Sequence, residues 1–356
     1  MTPSCRQLLS RDESLTLKAL CIIIVMMHNY LHLRGYAAEN EFQFYAERVE
    51  HIWQLVLHPT LELPLHLICF AAPYCLVGFL FISGYGLVKR YEQGNQSIDR
   101  WRLAGKHYVK LLRLIALPIA AAYLTYTLLH GHLPMRLWHT LLEVLLVSNL
   151  TRDPAIYPFV YWYLGMALQL YVLYALVLRR RTGHYDLWHQ LLLIGLVVGC
   201  GVAQMCCEPT GEAIRWLRLN AVGYIGPFVL GMVSARHLDH LKLGRWQWAA
   251  IALVSGAAMT VSYGYYYTWL WGWLPATLFA VSCIKALPAL QCRPLVWLGG
   301  VSAMVYLIHP IVREVSLHYK HPDHPVADLV IYMAVTVVIA AGYAWLMQRL
   351  PGKRHH

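Results

Sequence analysis

The chain has 356 residues, 58% hydrophobic and only 13% charged, with a formal net charge of +11. An ordinary soluble domain carries roughly a quarter charged residues, so this composition excludes one, and the recurrent apolar runs argue a polytopic membrane protein. The basic excess sits between those runs, as the positive-inside rule requires, which excludes nucleic acid as a partner and leaves anionic headgroups or a phosphorylated cofactor.

The N-terminus MTPSCRQLLSRDESLTLK is basic and leads into the first apolar run, near 16–33, with no small-residue cleavage site. It is therefore expected to be retained rather than removed as a signal peptide. Within LKALCIIIVMMHNYLH, His28 lies ten residues beyond Lys18, roughly 15 Å along a helix, which places it near the bilayer midplane. A neutral imidazole there could accept the proton of a hydroxyl. The plainer alternative is a buried histidine hydrogen-bonded between helices. His32 follows one turn later, and H-x-x-x-H could hold a metal, but no third ligand is apparent from the sequence and no metal is expected.

Residues 34–65 form an acidic, aromatic outer loop, long enough to fold over the mouth of a cavity. The second span, near 66–88, contains FLFISGYGL, where Ser83 and Gly84 read first as a close helix contact. Lys89 and Arg90 end it, the basic loop 89–106 follows, and Lys106, Lys110 and Arg113 open the third span, near 108–129. Lys110 and Arg113 share a helix face and could grip a phosphate, although snorkelling and topology account for several of these charges. Segment 137–150 is too short to cross; if it did, Arg179, Arg180 and Arg181 would fall outside, so it is expected to be interfacial or re-entrant.

Further spans are expected near 158–178, 188–205, 219–235, 247–265, 268–288, 295–312 and 326–347. The expected architecture is thus all-α, a single integral-membrane domain over residues 1–356 with about ten transmembrane helices and both termini cytoplasmic. In the last but one span, His309 precedes Pro310, which should end or kink the helix and free carbonyls for His309 or water. The nine cysteines show no disulfide or metal spacing and read as small core residues; the vicinal Cys206 and Cys207 are the one pair that invites a redox test.

Taken in order, these motifs resemble the integral-membrane acyltransferases of acyltransferase family 3, bacterial enzymes that O-acylate surface sugars. The resemblance spans nearly the whole chain. Its pieces are Lys18 and His28, then FLFISGYGL, the basic entry Lys110 and Arg113, WYLGMALQLY at 162–171, and LVWLGGVSAMVYLIHPIV, the most specific of them. The fifth-span segment resembles the family pattern W-x-L-x-x-E-x-Q-x-Y and keeps Trp162, Gln169 and Tyr171, with Ala167 in place of the acid. Many members also place an Arg eleven residues before the first-span His, about 20° away on the helix; here Lys18 stands ten before, about 80° away, and Asn29 takes the eleventh position.

The resemblance implies transfer of an acyl group, usually acetyl, from cytoplasmic acyl-CoA to a hydroxyl of a glycan or lipid-linked sugar, in the bacterial inner (cytoplasmic) membrane. Acyl-CoA is then a co-substrate, and no cofactor is permanently bound. His28 is cast as general base or transient acyl carrier, Asn29 as its orienting neighbour, and His309 as a lining residue of the same site. Lys18, Lys89, Arg90, Lys110 and Arg113 would hold CoA phosphates, and Ser83, Trp162, Gln169 and Tyr171 would line the substrate path. Besides this enzyme and its lipid bilayer, a homodimer is compatible with the sequence. Two other classes stay open: a transporter of small molecules or acyl groups, for which no inverted repeat is visible, and an inactive member serving as partner or sensor, motivated by Ala167.

Overall fold

The first helix begins where the sequence writes a capping box. Ser10 Oγ accepts from the Glu13 amide at 3.1 Å and the Glu13 carboxylate accepts from the Ser10 amide at 2.7 Å, so two orphan amides are satisfied at once. The computed structural model, which describes residues 7–93, 98–151, 156–180, 187–321 and 324–349, is 80% helical, with no strand among those residues. Helix α1 (Arg11–Leu31) runs on through a single 3-10 turn, His32–Arg34. The 34–62 segment carries α2 (Ala46–Leu57). Then α3 (Leu63–Ala71), a tight turn at Ala72–Tyr74 and α4 (Cys75–Tyr91) make one broken apolar span.

Helix α5 (Arg100–His130) is followed by α6 (Leu137–Val144), eight residues long and too short to cross a bilayer. After α7 (Trp162–Leu173) come α8 (Leu187–Met205), α9 (Glu212–Arg218) and α10 (Ala221–His237). The chain then forms α11 (Arg245–Ser262), α12 (Tyr266–Trp271), α13 (Trp273–Ala286), α14 (Arg293–His318) and α15 (Pro325–Arg349).

Among the described residues, eight helical segments are long and apolar enough to cross a membrane, where the sequence led us to expect about ten spans. The two others differ for identifiable reasons. Helix α11 opens on Arg245, Trp246 and Gln247, which dilute its apolar run. The segment expected near 268–288 is broken at Gly272 into α12 and a 14-residue α13, and at that glycine the Tyr74 hydroxyl occupies the place of a side chain.

Glycines bring the central helices into backbone contact. A Cβ at Gly84 of α4 would collide with the Phe228 carbonyl of α10, and one at Gly231 of α10 with the Phe81 carbonyl of α4. Small residues that let backbones touch are the usual packing device of helices in lipid. On the opposite flank, Gly299 of α14 rests on the Leu15 carbonyl of α1. We expect Gly84→Ala to lower stability by about 1–3 kcal/mol through overpacking. Gly86→Ala, whose Cβ would meet open space, should be neutral or mildly stabilising, since alanine outperforms glycine in a helix. Thermal unfolding of the two variants in detergent, side by side, checks the contrast.

Charged groups are sealed at two places outside the site. At one end of the bundle, Arg236 of α10 grips Glu92 with two hydrogen bonds of 2.8 and 2.9 Å, and the side chains are only 3% and 7% exposed. In α6, Glu143 accepts from the Tyr157 amide and the Tyr123 hydroxyl, each at 3.1 Å. Burial pushes the Glu143 carboxyl up from 4.5 to about 8, against the pull of those two hydrogen bonds. A carboxyl raised on folding stabilises fully below its unfolded value, and this contribution is lost as pH rises through the folded value. Stability should therefore fall between about pH 4.5 and 8, and Glu143→Gln should flatten that part of the profile; denaturation curves across the range test it.

Candidate functional site

Proline at position i leaves the carbonyl of residue i−4 without its helical partner. In this chain a histidine takes up that carbonyl twice. Pro73, in the break between α3 and α4, orphans the Cys69 carbonyl, and His28 Nδ1 lies 3.0 Å from it. Pro310, inside α14, orphans the Tyr306 carbonyl, and His309 Nδ1 lies 2.7 Å from it. Helix α14 therefore does not end at Pro310 but continues to His318, because its own side chain repairs the defect. A third case is purely structural: Pro118 opens the Leu114 carbonyl, to which the Tyr343 hydroxyl donates at 2.9 Å.

A carbonyl only accepts, so both histidines carry hydrogen on Nδ1 and present Nε2 as a bare lone pair. For His28 this lone pair faces Glu39, whose Oε1 is 3.8 Å away, too far for a direct hydrogen bond. The other oxygen of Glu39 lies 3.0 Å from His32 Nδ1. Burial alone would raise the Glu39 carboxyl, but the His32 hydrogen bond and the neighbouring imidazoles outweigh it and hold Glu39 below its ordinary value. It is thus an anion next to the His28 lone pair.

His28 also borders a cavity with about 430 Å³ of empty space, open solvent at its mouth included, walled by His28, Asn29, Glu41, Trp162, Tyr163 and Tyr306 among others. Phe42, from the 34–62 segment, packs against that wall, with its ring edge-on to Trp162 at 4.9 Å and to Phe159 at 5.7 Å. Asn29 is held from both sides: its amide donates to the Val25 carbonyl at 2.9 Å and its oxygen accepts from Arg313 at 3.2 Å, which leaves one amide hydrogen over. His309 is completely buried one layer behind the wall, its Nε2 without a partner, and its ring stands 5.5 Å from that of Tyr306.

The ligand atoms of His28, Glu39 and Cys69 lie within 4.8 Å of one another, a third and fourth neighbour that the H-x-x-x-H spacing alone did not reveal. Cys69 Sγ approaches the Nδ1 side of the ring at 3.7 Å, however, and that nitrogen is already engaged by the Cys69 carbonyl. The free lone pair is on the Glu39 side.

The predicted basic residues gather at the far end of α1. Lys18 is an electrostatic neighbour of Lys110, and Arg90, Lys106 and Lys110 surround His107, whose ring lies 4.9 Å from that of Tyr171. Arg113 is exposed on α5. Lys89 stands apart, paired with Asp239 and bonded to Gln93 at 2.9 Å. Of the residues expected on the substrate path, Trp162 reaches the cavity wall. Gln169 instead joins α7 to α10, bonding Asn220 at 2.6 Å and the Ala221 amide at 2.9 Å, and Ser83 meets the Tyr171 hydroxyl inside the helix packing.

Sequence reasoning missed Glu39, Glu41, Cys69 and Arg313. The Asn29–Arg313 and His28–Cys69 contacts join positions 284 and 41 residues apart, which no local pattern reveals. The two prolines were the available signal, since each names the carbonyl it frees. Compared with known proteins, residues 15–345 match the family described as an acyltransferase domain. No curated protein and no solved structure matches the chain.

Proposed function

The chain belongs to acyltransferase family 3, and from that premise we propose that it moves an acyl group, acetyl in the simplest case, from acyl-CoA to a hydroxyl of a cell-envelope glycan or lipid-linked sugar. The observation that carries this reading is the His28 Nε2 lone pair, fixed in one tautomer by the Cys69 carbonyl, on the wall of a cavity and beside an ionised Glu39.

The chemistry follows from that placement. The acceptor oxygen bonds to the thioester carbonyl carbon while its proton passes to His28 Nε2. The carbonyl electron pair moves onto oxygen. When it returns, the carbon–sulfur bond breaks and the departing CoA thiolate takes the proton from Nε2. Glu39 supports the transient imidazolium, as an anion 3.8 Å from the nitrogen that receives the proton. Asn29, clamped by Arg313, orients the thioester, and His309 shapes the wall through Tyr306.

At the other end, Lys18, Arg90, Lys106 and Lys110 form the surface that receives CoA phosphates, with Lys89 held back by Asp239. The basic end faces the cytoplasm of a bacterial inner membrane, both termini lie there, and the 34–62 segment faces out. Roughly 15 Å separates Lys18 from His28 along α1, a gap for the pantetheine arm to bridge.

The test is thiol release from acetyl-CoA by the detergent-purified protein, first with water and then with membrane extract as acceptor source. Release together with saturable CoA binding is the expected result. Absence of both would overturn the reading.

A further inference from the structure

The 34–62 segment brings two acids to the His28 site, two positions apart and in different states. Glu39 is the anion held by His32. Glu41 lines the same cavity as His28 and Asn29, and among the described residues its carboxyl makes no hydrogen bond and no ion pair. Its backbone is anchored, because Arg218 Nε donates to the Glu41 carbonyl at 2.7 Å and the next residue, Phe42, packs edge-on to Trp162 and Phe159. A fixed backbone therefore holds an unspent carboxyl on the cavity wall.

The groups around that carboxyl are Glu39 on its own segment, Arg218 of α9, Tyr224 of α10 and Tyr306 of α14, with His28 and Asn29 of α1 on the shared wall. Burial first, then the Glu39 anion, push the Glu41 carboxyl up to about 8, and Arg218 only partly offsets them. At neutral pH Glu41 is thus a carboxylic acid, which donates a hydrogen bond where a carboxylate only accepts. Asn29 adds its leftover amide hydrogen, so the wall combines a base with two donors. The enclosed part of this cavity has room for only a few water-sized groups, which suits the carbonyl and methyl of an acetyl thioester and not a sugar ring.

In the proposed acyl transfer, negative charge develops on the thioester carbonyl oxygen as the acceptor oxygen bonds to carbon. A donor fixed in advance on that oxygen strengthens its hydrogen bond as the charge grows and needs no rearrangement. We propose that Glu41, as a neutral acid, is a catalytic residue of this site, donating with Asn29 to the thioester carbonyl oxygen as it becomes an oxyanion. The proton stays on Glu41 throughout. The electron pair returns to carbon as the carbon–sulfur bond breaks, and the hydroxyl proton still passes by way of His28 to the thiolate. This role rests on the acyl-transfer reading.

The test is thiol release from acetyl-CoA above the enzyme-free background, followed on both sides of pH 8. Glu41→Ala should lower kcat by about 10²–10³-fold, the worth of one oxyanion donor, with CoA half-saturation unchanged. Wild-type kcat should fall as pH rises through about 8 and the acid form is lost. Glu41→Gln keeps a donor that does not titrate, so it should retain most of the rate and lose the alkaline fall. Glu143, also raised to about 8, lies outside the site, and Glu143→Gln should leave that fall in place.

The proposal is overturned if a folded Glu41→Ala matches the wild type, if a folded Glu41→Gln keeps the alkaline fall, or if it is as slow as Glu41→Ala. Should Glu41→Ala fail to fold, the Gln variant decides, since a merely structural acid would leave the pH profile unchanged. A wild type that releases no thiol, with water or membrane extract, would sink acyl transfer and this role with it. An active wild type with indifferent Glu41 variants would sink this role alone.

Discussion

His28→Ala is expected to lower the rate of thiol release from acetyl-CoA by about 10²–10⁴-fold, the usual worth of a positioned general base, while leaving CoA half-saturation nearly unchanged. The rate falls because the variant loses the lone pair beside the acceptor oxygen; the affinity holds because the basic cluster lies at the other end of α1. His28→Gln sharpens the test. Its amide can still donate to the Cys69 carbonyl and so preserve the repair at Pro73, yet it has no basic nitrogen. Both variants should therefore fall alike in rate, with Gln closer to wild type in thermal midpoint. A Gln variant as active as the wild type would remove proton transfer from His28 and leave it a helix-joining residue.

The largest effect on stability is expected at Glu92. Glu92→Gln removes the carboxylate from a bidentate pair that is almost entirely sealed, leaving Arg236 charged and buried with only the Leu178 carbonyl at 3.0 Å and His189 at 3.3 Å as partners. Breaking a buried pair from one side costs about 3–5 kcal/mol, whereas replacing both partners by apolar residues of similar size is often neutral. Glu92→Gln should thus unfold at markedly lower temperature than wild type, and the double replacement Glu92→Leu with Arg236→Met should recover most of the loss. If the double variant is as unstable as the single one, the pair contributes more than its charges, and the shared contacts to the segment after α7 become the cause.

Much of the scaffold was legible because the bilayer imposes simple rules. Apolar length, charge between spans and the capping box at Ser10 all translate directly into helices. The break at Gly272, where the Tyr74 hydroxyl fills the place of a side chain, was not, since that contact joins distant parts of the chain. Within the site, His28 and His309 stood out as titratable residues in apolar runs. Glu39 did not, because an acid in an acidic loop carries no local mark; only the fold places it 3.8 Å from His28. Arg218 was hidden more deeply, its partner carbonyl lying 177 positions away. Lys89 illustrates the reverse: a conspicuous charge in sequence, spent in the structure on Asp239.

The two proline-repairing histidines also bear on where protons travel. Each ring has one nitrogen occupied by a backbone carbonyl that cannot give or take a proton, so neither imidazole can pass a proton in at one edge and out at the other. A proton that enters at His28 Nε2 must leave by the same atom. In the proposed reaction, the hydrogen taken from the hydroxyl is therefore handed to the thiolate from that same atom and is not relayed through the ring. On that proposal, ester formation should proceed with no net acidification on either side of the membrane, drawing nothing from the ion gradient across it.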